Sequence, residues 1–169
     1  MKMRLSFVTN SSSSSFIVAF ASMPQTVEDV YKALFPDGEE VFVGDLCNGI
    51  PTMDIATQIF KDLKPQQPQT LKSLNERFKE INDDDAPQYS FSSGFRYGSP
   101  EYNEMMKKFN HDMERYTKAT LKRFVDANKG GAIYIFEYGN DSKNHTPIKT
   151  DMENTDLYKN VPFIRISHH

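Results

Sequence analysis

The sequence has no tryptophan, one cysteine (Cys47), and only eight glycines and nine prolines in 169 residues. A lone cysteine excludes an intramolecular disulfide framework and cannot furnish a Cys-rich zinc site, so a reducing cytoplasm is the expected setting. With 20 Lys and Arg against 23 Asp and Glu, the formal charge of -3 offers no positive field to recruit nucleic acid non-specifically. No apolar run approaches the roughly 20 residues of a membrane-spanning helix. Lys2 and Arg4 ahead of Phe16 to Ala21 imitate a secretory leader. The polar interval Asn10 to Ser15 breaks the apolar stretch well short of the about 7 to 15 residues such a leader uses, so secretion is not expected.

What the chain does have is rings. With 13 Phe, 8 Tyr and 8 Met, its core is expected to be aromatic and Met-rich. The length suits a single domain over 1–169. The run Phe16-Ile17-Val18-Ala19-Phe20 reads as a strand buried on both faces. Thr26, with Asp29 three residues on, predicts a capped helix from Val27 to Phe35, and Pro36-Asp37-Gly38 predicts the turn that ends it. Glu39 to Val43 is a short strand candidate. Thr52 to Leu63 places Met53, Ala56, Ile59, Phe60 and Leu63 at helical spacing before Pro65. Thr70 opens a further helical segment with Leu71, Leu74, Phe78 and Ile81 on one stripe, closing at Asn82.

Ser99-Pro100-Glu101 combines an N-cap hydroxyl, a proline at the first helical position and an early acid, and predicts a long helix to about Asn128. Lys129-Gly130-Gly131 stops it. Ala132 to Tyr138 is the strongest strand pattern and is expected to be central in the sheet. Gly139 to Asn160 reads as polar and turn-rich, and Pro162 to Ser167 as a last strand. Together these predict an α/β or α+β domain: a small mixed sheet of three to four strands, drawn from both ends of the chain, with amphipathic helices packed against it.

The five serines Ser11 to Ser15 lead directly into the first strand. A serine spacer joins two folded units, and only Met1 to Val8 precede Thr9-Asn10, so local structure is the expectation. Successive backbone N–H groups with hydroxyls can cradle an anion, but a phosphate loop uses glycines and a helix N-terminus, and here a strand follows. The plainer alternative is a turn in which Asn10 and the first serines hydrogen-bond their own backbone. A serine nucleophile needs a base such as His111, His145 or His168 within reach, and no Gly-x-Ser-x-Gly elbow is present. Were the first and last strands neighbours, Ser15 and His168 would approach each other.

The stretch from Phe7 to Val18, which reads Phe-Val-Thr-Asn-Ser-Ser-Ser-Ser-Ser-Phe-Ile-Val and follows Lys2 and Arg4, resembles the opening of a group of small phage and bacterial proteins that have no assigned activity. Phe136-Glu137-Tyr138 and the closing Arg165-Ile166-Ser167-His168 resemble their ends. The likeness spans about a fifth of the chain. It implies a phage or mobile-element setting, and it brings no catalytic residue with it.

Three groups of residues are candidate sites. Asn10, Ser11, Ser12, Ser13, Ser14 and Ser15, with Glu137, Tyr138 and His168, form a candidate ligand site at strand ends, where open α/β sheets place ligands. Tyr89, Phe91, Phe95, Arg96 and Tyr97 form a candidate interface, since rings beside an Arg can anchor a partner; the alternative is that the rings pack inward. The polar residues Glu137, Asp141, His145, Asp151, Glu153, Asp156, His168 and His169 supply metal-ligand types without metal-site spacing, so neither a metal nor any cofactor is expected. His168-His169 also read as a frayed end or the start of a tag.

The expectation is therefore a phage or mobile-element accessory protein of the host cytoplasm that binds a host or defence partner without catalysis. The alternatives are a nucleotide- or anion-binding protein, or small metal-dependent hydrolase, with its site near the serine run, and a virion structural component.

Overall fold

Eight residues, Ser13–Phe20, form strand β1, and both of its edges are paired. The computed structural model describes residues 13–43, 49–81, 85–87, 96–139 and 157–168. These fall into two compact units, one drawn from Val8–Gln69 with Asn128–His169 and the other from Thr70–Ala127.

In the first unit β1 lies between β4 (Ala132–Gly139) and β5 (Phe163–His168), in the order β4-β1-β5, with both pairings antiparallel. The fold is α+β. The sheet is built from both ends of the chain, but β1 is its centre and β4 is at its edge. The reason lies in burial: Phe16, Ile17, Val18, Ala19 and Phe20 are all buried, so β1 is apolar on both faces as a central strand must be. The outer edge of β4 is covered by the connector after α2. Gln69 N–H donates to the Ile133 carbonyl at 2.7 Å, and Ile135 N–H donates to Gln66 Oε1 at 3.3 Å, which satisfies edge groups that would otherwise invite another strand.

One face of the sheet carries Phe16, Val18, Phe20, Tyr134, Phe136 and Tyr138 into the core. Helices α1 (Val27–Leu34) and α2 (Thr52–Leu63) meet it with Val30, Leu34, Ile55, Ala56, Ile59 and Leu63. Each Val, Leu or Ile among them contributes about 1.5–3 kcal/mol by leaving water. Helix α1 begins as its sequence predicts: Thr26 Oγ1 accepts from Asp29 N–H, and the Asp29 carboxylate accepts from the Gln25 and Thr26 N–H groups. Those bonds hold the Asp29 carboxyl below its ordinary pKa. At the other end Asn160 Nδ2 donates to the Leu34 carbonyl at 2.8 Å, satisfying one of the helix's last acceptors.

The buried stripe of α2 is Thr52, Ile55, Ala56, Ile59 and Leu63. Met53, expected on that stripe, points outward instead and is 44% exposed. Only Val41–Phe42 of the predicted strand over 39–43 is extended as β2, and it pairs antiparallel with β3 (Ile50–Pro51). Gly49 leads into β3 at φ 101°, in the left-handed region where a side chain is strained. Gly131, just before β4, has no room for a side chain, because a Cβ there would collide with the Phe20 carbonyl.

The second unit holds α3 (Leu71–Arg77) and α4 (Pro100–Ala127), which pack together. Helix α3 ends four residues before Ile81, the last member of its apolar stripe, with Phe78 extended, yet Phe78 and Ile81 remain buried. The Ile81 N–H is satisfied by the buried Thr117 Oγ1 of α4 at 3.0 Å, in place of a helical carbonyl. Helix α4 starts at the predicted cap: Tyr102 N–H donates to Ser99 Oγ at 3.2 Å.

Candidate functional site

The serine run enters the sheet as its central strand. Ser13, Ser14 and Ser15 belong to β1, so the strand begins inside the serine run, ahead of the apolar residues that mark it in the sequence. The register sets Ser13 opposite Gly139 and His168, Ser14 opposite Tyr138 and Ser167, and Ser15 opposite Glu137 and Ile166. The first and last strands are thus neighbours, and the backbone brings Ser13, Ser14 and Ser15 together with Glu137, Tyr138 and His168. Asn10, Ser11 and Ser12 lie outside the described residues.

Burial divides this group. Ser14 and Ser15 are 4% and 2% exposed, whereas Glu137 is exposed. Tyr138 points into the core, where its hydroxyl lies 2.7 Å from that of Tyr158. Desolvation pushes both phenols above their ordinary pKa, with the Asp62 charge acting in the same direction. Tyr158 also contacts Phe16 at 5.2 Å and stacks on Phe136 at 5.7 Å, so it is a hub of the aromatic core. Across β1, Arg165 stands over the Phe16 ring at 5.8 Å from its centroid.

Of the aromatic candidate interface, Tyr89, Phe91 and Phe95 lie outside the described residues. Arg96 is exposed, and Tyr97 is 79% exposed, the most exposed of the large apolar or aromatic side chains among the described residues. The Tyr97 ring rests 5.2 Å from Tyr102 at the start of α4. Its position is set by the turn that precedes the helix, in which Ser99 N–H donates to the Arg96 carbonyl at 2.9 Å. The Glu101 carboxyl beside it is held below its ordinary pKa by its own backbone N–H and the Ser99 hydroxyl.

Among the described residues no group of three or more His, Cys, Asp or Glu is placed to hold a metal ion. Asp141, His145, Asp151, Glu153, Asp156 and His169 lie outside them. A hollow of about 160 Å³ opens between Met23–Gln25 and Phe60, Lys64 and Gln66. It is smaller than the about 300–1,000 Å³ that buries an organic ligand. Among the described residues no helix is long and apolar enough to cross a membrane.

Two features escape the sequence reading. Tyr158 falls in a stretch whose polarity suggests only turns; the adjacent apolar pair Leu157-Tyr158 is the signal, and both are buried. Strand β3 is too short to leave a period, with Gly49 its one local mark.

No family model matches the chain, and no curated protein or solved structure matches it.

Proposed function

We propose that this chain is a phage or mobile-element accessory protein of the host cytoplasm that works by binding a protein partner. The observation that carries the binding reading is the pair Arg96 and Tyr97, an exposed guanidinium next to a ring that is 79% exposed and braced against Tyr102. Tyr and Arg are the side chains most often found at the energetic centre of an interface, because each brings a large rigid contact area and a directional polar group. The phage setting rests on the resemblance of Phe7 to Val18 and of the chain's closing residues. The purified protein incubated with nucleotides and nucleic acids, with and without divalent metal, is expected to leave them unchanged; metal-dependent turnover would overturn the reading.

A second reading, an anion or nucleotide site at the strand ends, is favoured by the register that sets Ser13 opposite His168 and Ser15 opposite Glu137. Replacing Ser13, Ser14 and Ser15 together by Ala tests it. Ligand binding lost from a folded variant supports the site, and binding that survives removes it.

A further inference from the structure

The β2–β3 ribbon is apolar on both faces. Phe42 and Ile50, paired across the ribbon, pack on the core of their unit. With a side-chain period of two, Val41 and Val43 lie on the opposite face. Val41 sits across from Pro51, and the chain then turns into α2 with Met53 pointing outward. Val41 is 53%, Val43 76% and Met53 44% exposed. A ribbon with one face on a core and the other in water ordinarily alternates apolar with polar residues, and this one does not.

The chain segments that carry this strip are acidic. Between Lys32 and Lys61 the sequence contains no Lys, Arg or His, and the described residues there include Asp37, Glu39, Glu40 and Asp54. Glu39 is paired with Lys159 at 3.7 Å. Asp37, Glu40 and Asp54 are exposed and make no ion pair among the described residues.

We propose that the outward face of the ribbon docks a protein segment whose apolar contact strip is flanked by Lys or Arg. Burial of Val41, Val43 and Met53 supplies the attraction, and the carboxylates select the sign of the partner's charge. A second copy of this chain is the wrong occupant, since it would set carboxylate against carboxylate. The proposal rests on the binding reading above and deepens it by naming a second surface and the charge of what it receives.

The test is fluorescence polarisation on the full chain with a short labelled peptide of alternating Val and Lys. Matched peptides carry Glu in place of Lys, or Ser in place of Val. The Val-Lys peptide is expected to bind, to weaken with added salt, and to weaken about tenfold in Val43→Lys, whose site is exposed enough to leave folding intact. Met53→Lys is the second variant. No binding by the Val-Lys peptide, equal binding by the Val-Glu peptide, or indifference to both Lys variants overturns the proposal. So does self-association in sedimentation that Val43→Lys abolishes, which would assign the face to a second copy. The peptide variants leave Arg96 and Tyr97 unaltered, so failure here leaves the Arg96–Tyr97 reading to be judged separately by its own variants.

Discussion

The hydroxyls of Tyr138 and Tyr158 lie 2.7 Å apart inside the aromatic core, one from the edge strand β4 and one from the turn that precedes β5. Both phenols are buried, and one donates to the other in a single hydrogen bond. Tyr134, two residues before Phe136 on the same strand face, is equally buried, and its hydroxyl has no hydrogen-bond partner among the described residues.

The contrast gives opposite outcomes for one substitution. Tyr158→Phe strands the Tyr138 hydroxyl and is expected to cost about 1–3 kcal/mol in urea unfolding. Tyr134→Phe removes an unpaired buried hydroxyl and is expected to be neutral or stabilising by up to about 1 kcal/mol. Equal losses in the two variants would contradict the assignment. The Tyr138→Phe, Tyr158→Phe double variant should lose less than the sum of its singles, since nothing is left unpaired.

Raised phenol pKa values also set an alkaline limit. Desolvation favours the protonated phenol in the folded state, so the stabilisation is complete below the ordinary tyrosine pKa of about 10 and declines as pH rises above it. Ultraviolet titration should therefore show Tyr138 and Tyr158 silent near pH 10 and ionising only as the chain unfolds. Comparison with Tyr138→Phe and Tyr158→Phe assigns the missing absorbance. Titration of every tyrosine near pH 10 in the folded protein would contradict the buried pair.

Thr117 provides a second buried polar contact, to the Ile81 N–H. Thr117→Val keeps the shape and removes the acceptor of the Ile81 N–H, and about 1–3 kcal/mol of stability should go with it. Amide exchange at Ile81 should accelerate in parallel. An unchanged exchange rate would show that this N–H does not depend on Thr117.

Local rules made part of this fold legible. The Thr26 and Asp29 capping box, the Ser99 cap of α4 and the apolar centre of β1 all depend on residues within a few positions of one another. Long-range pairing was less legible. Serines leave no hydrophobic period, so the start of β1 at Ser13 was set by backbone ladders to β4 and β5. The high β-propensity of Ala132 to Tyr138 suggested a central strand, but centrality depends on which edges find partners. Met53 fell outside the buried face because the helix that begins at Thr52 presents Thr52, Ile55, Ala56 and Ile59 inward, leaving its neighbour to solvent. Of the candidate sites, proximity of the serines to Glu137 and His168 was legible only as a condition on strand order.

Quantitative affinity capture from cells carrying the gene, with the intact chain and an Arg96→Ala, Tyr97→Ala double variant as paired baits, tests the binding role most directly. Both baits should give the same circular dichroism, since neither side chain is buried. The intact chain is expected to retain a protein in near-stoichiometric amount that the variant loses by about tenfold or more, as removal of interface anchors would produce. Capture that is equal for the two baits, or the absence of any stoichiometric partner, would contradict the account.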